Sequence, residues 1–302
     1  MKVLVTGKGG QLASELTVTA PEHVNVICLD QIQLDITDET AVINTIAELN
    51  PDYVINAAAY TAVDKAEQEQ ELAFAVNGTS SGYIASACKL HNAKLVHIST
   101  DFVFDGTKTS PYTAEDTPNP INVYGASKLA GEELVAEILA EQAVIIRTAW
   151  VYSTYGNNFV KTMLRLMAEK PVLGIVSDQV GTPTWAKGLA LMIWSLIGKV
   201  EKGSEGTNPC LGFASNNQTP IINWTDAGVA SWYDFAVAIQ EIALEKGLLT
   251  QAIPVNPIFA SQYPVPAARP AFSVIDKTEA EQLSQYQTVH WRKQLAKMMA
   301  EL

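Results

Sequence analysis

An α/β fold, a doubly wound parallel sheet carrying a smaller C-terminal lobe, is what this sequence predicts. Three observations lead there. The chain opens on a short apolar strand that breaks into glycines and then a helix. Strand-like and helical segments alternate to about residue 150, which implies parallel pairing through right-handed crossovers. Beyond that point the pattern loosens into helices separated by Pro-, Gly- and Asn-rich connections.

Met1 to Thr6 reads as a buried strand, with Val3, Leu4 and Val5 in one apolar run, followed by Gly7-Lys8-Gly9-Gly10-Gln11-Leu12-Ala13 and a helix through Glu15 and Leu16. Strand, glycine turn and helix in this order make a Rossmann-like dinucleotide site. Gly7 permits the tight turn, Gly10 lets the backbone approach a pyrophosphate, and Ala13 is small enough for the helix to pack on the sheet. The phosphates would lie at the helix N-terminus. The second strand, Val24 to Leu29, ends in Asp30, near the usual place of a carboxylate that binds adenine ribose.

A helix from about Glu39 to Leu49 ends ahead of Asn50-Pro51, and Tyr53 to Asn56 is the third strand. One long helix is expected from Lys65 to His91, with Gly78 and Gly82 as weak points. Lys94 to Ser99 is the fourth strand, a helix containing Tyr124 runs to about Glu141, and Ala143 to Arg147 is the fifth strand. Later helices are expected at 158–169, 184–197 and 231–246, with irregular connections at Gly203 to Pro209 and Gln251 to Pro270. This gives a dinucleotide-binding domain over 1–150, joined by a returning segment near 184–200, and a mainly substrate-binding lobe over 151–302.

At 302 residues and 48% hydrophobic, the chain can bury one large or two modest cores. The formal net charge is −12, with no Lys/Arg-rich run, which argues against nucleic acid and anionic membranes as partners. Cys28, Cys88 and Cys210 are far apart and odd in number, as in reduced thiols of a cytoplasmic protein. The apolar run after Lys2 stops at Gly7, so no secretory leader is expected, and no run is long enough to span a bilayer.

The chemistry concentrates at Tyr124-Gly-Ala-Ser-Lys128. Positions i and i+4 share a helix face about 6 Å apart along the axis, so phenol and ammonium can reach one ligand. A cation about 4 Å from a phenol is worth on the order of 4 kcal/mol at an effective dielectric of 20, enough to favour phenolate by up to roughly three pKa units before desolvation of the lysine is subtracted. That suits a general acid/base acting on a carbonyl or carbinol. Polar residues also gather at the carboxyl ends of strands, where ligands bind in such folds. Asn56-Ala-Ala-Ala-Tyr-Thr61 follows strand three, Ser99-Thr100-Asp101 follows strand four, and Arg147-Thr-Ala-Trp150 follows strand five. Thr100 can polarise a carbonyl oxygen or merely cap a turn, and Asp101 can likewise serve only as a turn cap; Trp150 can wall a pocket or fill the core.

On these residues the chain resembles the extended short-chain dehydrogenase/reductases, and within them the dTDP-4-dehydrorhamnose reductase family. The resemblance runs through the glycine turn, the blocks Asn56 to Glu67, Ser99 to Gly106, Asn122 to Glu132 and Arg147 to Tyr152, and on through Gly156 to Arg165, Asp178 to Thr184 and Ala268-Arg-Pro270. It implies reduction of the C4 ketone of a dTDP-4-dehydro-sugar with NADPH or NADH, and a catalytic trio of Thr100, Tyr124 and Lys128. It further implies cofactor contacts from Gly7, Gly10, Gln11, Leu12, Asp30, Asp35, Ile36, Ala59, Tyr60 and Thr61, besides Tyr124 and Lys128. Sugar-nucleotide contacts would come from Thr100, Asp101 and Trp150, and Arg269 would meet the diphosphate or form a surface ion pair.

Some members of the family are described as magnesium-bridged dimers. Glu15 fits one ligand position, but the helix after Thr184 has no carboxylate through Ile197 and carries Lys187. The expectation is therefore no metal, in a monomer or a metal-free homodimer. Asp30 disfavours a 2′-phosphate while Lys8 lies close to that end, so either cofactor fits. Two alternatives share the fold. A sugar-nucleotide dehydratase or epimerase is one, although Phe102 stands where dehydratases carry an acid. A non-catalytic dinucleotide-binding regulatory subunit is the other, against which the intact trio argues.

Overall fold

The computed structural model describes residues 1–201 and 218–302. Its centre is a six-stranded, all-parallel sheet in the order β10-β5-β4-β3-β1-β2, formed by β1 (Lys2–Thr6), β2 (Asn25–Leu29), β3 (Tyr53–Asn56), β4 (Lys94–Thr100), β5 (Ala143–Thr148) and β10 (Ile221–Trp224). The sequence patterning gave five of these strands. The sixth, β10, comes from after the loosened region and pairs Ile221 with Ile145, a long-range choice that no local pattern encodes.

Both faces of the sheet are buried, which is why its strands read as apolar runs. On one face Val3, Val5, Ile55, Val96 and Ile146 pack against Leu16 of α1 (Gln11–Val18) and Leu189, Ile193 and Leu196 of α8 (Ala186–Glu201). On the other, Leu4, Val54, Leu95 and Ile145 meet Val42 and Ile46 of α2 (Glu39–Leu49), Ile84 of α5 (Ser80–His91) and Val135 of α6 (Val123–Leu139). Asn50 and Asn92 adopt left-handed φ of 42° and 56° to end α2 and α5, a conformation Asn tolerates well.

The expected long helix over 65–91 is broken into α3 (Val63–Ala66), α4 (Gln70–Phe74), a π turn (Ala75–Thr79) and α5. The break includes Gly78 and the buried Asn77, whose side chain bonds to the backbone of Tyr60. The Tyr124 helix stops at Leu139, short of Glu141, because Ala140 takes φ 47°.

A third core holds the remaining elements together. Among its members are Tyr152 of β6 (Val151–Tyr152), Val160 and Met163 of α7 (Phe159–Glu169), Phe235 and Ile239 of α9 (Trp232–Glu245), and Trp291 and Leu295 of α11 (Trp291–Met298). Short pairs frame it: β7 (Leu173–Val176) with β12 (Val255–Ile258), β8 (Val180–Gly181) with β11 (Ala230–Ser231), and β6 with β9 (Thr184–Trp185). Leu283 of α10 (Thr278–Ser284) returns to the sheet core. Cys88 is buried and Cys28 half-buried, both as free thiols; Cys210 and the 203–209 connection lie outside the described residues. Among the described residues no helix is long and apolar enough to cross a membrane.

Candidate active site

The carboxyl ends of β1, β3, β4 and β5 open into a cleft of about 910 Å³. At its floor is the glycine turn. Gly7 and Gly9 hold φ of 83° and 87°, and a Cβ on Gly7 would lie 2.9 Å from the backbone of Ala58, where the connections leaving the parallel strands β1 and β3 run to opposite sides of the sheet. Gly10 caps α1 without a side-chain bond, and a Cβ there would meet the Gly7 carbonyl oxygen at 2.9 Å. The turn's own closure thus demands glycine at position 10. The uncapped N–H groups of a helix start beside bare backbone suit a pyrophosphate.

Thr6, Asn56 and His97 form a polar row across β1, β3 and β4. The Thr6 hydroxyl donates to Asn56 Oδ1 at 2.8 Å, and Asn56 Nδ2 lies 3.3 Å from His97 Nδ1. Burial, then the nearby Lys128 ammonium, pushes His97 well below its usual value, so it stays neutral. The Thr6 hydroxyl also accepts from the Ala58 amide, fixing the loop of small residues over which a cofactor would lie.

Thr100, Tyr124 and Lys128 converge in this cleft. Asn122 sets up the helix start by accepting from the Gly125 amide at 2.7 Å, and a Cβ on Gly125 would strike the Phe102 carbonyl oxygen at 2.1 Å, so α6 approaches the strand-four loop closely. The Thr100 hydroxyl donates to Asp101 Oδ1 at 3.1 Å and accepts from the Phe102 amide at 3.2 Å, and its influence on the Tyr124 phenol is to lower its pKa. It both caps a turn and faces the reacting phenol.

The electrostatics differ from the expectation that Lys128 would favour phenolate. Burial is the largest influence on Tyr124, opposed by the Thr100 hydrogen bond and reinforced by Asp101, and its phenol is pushed up to about 12. Burial likewise brings Lys128 down to about 8, with Glu132 acting against it. The ammonium donates to the Ile98 carbonyl at 2.7 Å. Desolvation dominates both groups, Lys128 is not among the influences on the phenol, and the phenol keeps its proton at neutral pH.

Asp101 is buried and carried to about 7 by desolvation, with Ser273 and Thr100 hydrogen bonds pulling the other way. Trp150 lines the cleft from an unusual backbone conformation, φ 47°. Arg269 also lines it, with both guanidinium amines on Asp64 at 3.0 and 2.8 Å, a half-exposed bidentate pair.

Gln11, Leu12, Asp35, Ile36, Ala59, Tyr60 and Thr61 line the same cleft. Asp30 does not belong to this lining. Its carboxylate accepts from the Ile32 and Gln33 amides at 3.0 and 2.9 Å, bracing the loop, and Gln31 and Lys8 line the cleft in its place. The Glu15 position is internal too: its carboxylate accepts from Ser153 at 2.7 Å and burial raises it, while Lys187 pairs with Glu301. Among the described residues no group of three or more His, Cys, Asp or Glu side chains is placed to hold a metal.

Three participants escaped sequence reading. Asn77 accepts from the Tyr60 amide at 2.8 Å and donates to its carbonyl and to Ser127. Glu132, one turn beyond Lys128, forms a buried ion pair with Arg147 at 2.6 Å and also accepts from Ser99. Trp232 stacks on Trp150. The spacing Lys128 to Glu132 was visible as i and i+4; the other two have no local signal.

The whole chain, residues 1–302, matches the family described as the RmlD substrate binding domain. The chain belongs to the RmlD family. A dTDP-4-dehydrorhamnose reductase of Aggregatibacter actinomycetemcomitans is 38% identical over 301 residues, covering 99% of this chain and 98% of that one. Spore coat polysaccharide biosynthesis protein SpsK of Bacillus subtilis (strain 168) is 37% identical over 301 residues, covering 99% and 97%. The solved dTDP-4-dehydrorhamnose reductase of Bacillus anthracis in complex with NADP superposes with a TM-score of 0.87 at 34% identity, covering 100% and 99%. The RmlD match spans sheet and third core alike.

Proposed function

We propose that this chain is a dTDP-4-dehydrorhamnose reductase. It reduces the C4 ketone of dTDP-4-dehydro-β-L-rhamnose to dTDP-β-L-rhamnose, the last step of dTDP-L-rhamnose synthesis. The observation that carries this reading is the meeting of a half-buried Tyr124, Thr100 and Lys128 in one cleft with the glycine turn.

NADPH or NADH, when bound, supplies the hydride. The turn at Gly7 and Gly10, the start of α1 at Gln11 and Leu12, and the loop Ala59 to Thr61 hold it, with Asp35 and Ile36 at the adenosine end. Tyr124 hands its proton to the developing alkoxide on C4. A phenol near 12 remains loaded at neutral pH, which is the state a reduction requires. Thr100 flanks the phenol, and its hydroxyl proton, given to Asp101 when no substrate is present, turns to the sugar oxygen as a small oxyanion site, while Lys128 adds positive charge to the site. Asp101 and Trp150 bind the sugar end, and Arg269 stands at the diphosphate side. In this reading residues 1–150 form the dinucleotide-binding domain and 151–302 mainly the substrate lobe, working in the cytoplasm as a monomer or metal-free homodimer.

The test follows reduced-cofactor absorbance with enzymatically made dTDP-4-dehydrorhamnose for the wild type and Tyr124→Phe. Turnover by the wild type and its collapse in the variant, with cofactor binding retained, is expected. A wild type inert toward this ketosugar but active on another sugar nucleotide would overturn the assignment.

A further inference from the structure

Trp150 holds a left-handed backbone, φ 47°, which a bulky residue adopts only when its surroundings impose it. Three contacts impose it here. Its carbonyl accepts from the Thr184 amide at 3.1 Å. A Cβ on Gly181 would lie 2.7 and 2.8 Å from Cε2 and Nε1 of its indole, so only a residue without a side chain fits beside it. Trp232 stacks on it with ring centroids 3.5 Å apart and planes 8° from parallel.

The two supports are themselves fixed together. Ala230 pairs with Gly181 and Ser231 with Val180, so Trp232, the next residue, is carried to the same place. Ser231 and Asp234 close a capping box on the helix that Trp232 begins, and Phe159 packs on its ring at 4.7 Å. Ser273 links the assembly to the reacting end of the cleft: its amide donates to the Val180 carbonyl at 2.8 Å, its hydroxyl lies 2.9 Å from where the Gly181 Cβ would stand, and its influence on Asp101 is to hold that carboxyl down against burial.

We infer that Trp232, with Gly181, is a positioning residue that fixes the Trp150 indole as the apolar wall against which the hexose ring of the sugar nucleotide packs. This rests on the proposed reductase activity. An indole face suits the C–H surface of a deoxyhexose, and a wall that is already immobile loses no rotamer freedom on binding.

The test compares wild type, Trp232→Ala, Trp232→Phe and Gly181→Ala. KM and kcat are measured for the ketosugar, together with NADPH affinity and the circular-dichroism couplet of the stacked indoles. Trp232→Ala should raise the ketosugar KM roughly 2- to 12-fold, the equivalent of one lost aromatic pair, with kcat and NADPH affinity little changed. The couplet should vanish, Trp232→Phe should restore most of the KM, and Gly181→Ala should reproduce the defect by displacing the indole. An active Trp232→Ala enzyme with wild-type KM and no couplet would overturn the inference. So would equal losses in NADPH affinity and ketosugar KM, which mark general unfolding of the lobe. A wild type without ketosugar activity would instead sink the reductase reading itself.

Discussion

Replacing Glu132 by alanine tests whether the ion pair behind Lys128 holds both the fold and the site. Glu132 and Arg147 are 3% and 2% exposed, joined at 2.6 Å, with Arg147 Nε bonding at 3.0 Å as well. Removing one partner leaves a buried guanidinium without its countercharge, a loss of about 3–5 kcal/mol in proteins generally. Against a total stability of about 5–15 kcal/mol that is a large fraction. The exposed Arg165 and Glu169 pair, 60% and 51% exposed, is the control: Arg165→Ala should cost under about 1 kcal/mol. Urea denaturation followed by circular dichroism measures both. Because Glu132 is the group that raises Lys128 against burial, its loss should also carry Lys128 further below about 8, and the alkaline limb of kcat should move to lower pH. A Glu132→Ala protein within about 1 kcal/mol of wild type, with an unmoved limb, would refute the reasoning.

Two further outcomes follow from the same physics. Asp101, held at about 7 against an ordinary value of 3.8, binds a proton in the folded state that the unfolded chain has released, so stability should fall as pH rises from about 4 to 7. Asp226, also raised to about 7 by burial, contributes in the same sense; Asp101→Asn should therefore flatten, without abolishing, that decline in denaturation midpoints across the window. Lys8 lines the cleft near the adenosine end while the Asp30 carboxylate is occupied by loop amides, so Lys8→Ala should lower kcat/KM for NADPH several-fold more than for NADH. An unchanged ratio of the two cofactors would separate Lys8 from 2′-phosphate recognition.

Local chemistry in the sequence determined a good deal of this protein. Apolar runs bounded by Gly, Asn and Pro specified five parallel strands, because a strand buried on both faces has little other composition open to it. The glycine turn and the i and i+4 pair of Tyr124 and Lys128 were equally legible, since backbone approach and helix periodicity are short-range constraints. Tertiary structure decided what depends on neighbours distant along the chain. It supplied β10 as the sixth strand, paired Arg269 with Asp64, and turned Asp30 toward its own loop. It also reversed the expected sign at Tyr124: charge spacing along a helix is visible in a sequence, but the desolvation that overrides it is set by everything packed around the phenol. The stack of Trp232 on Trp150 belongs to the same class, for two residues more than eighty positions apart meet only after separate elements have docked.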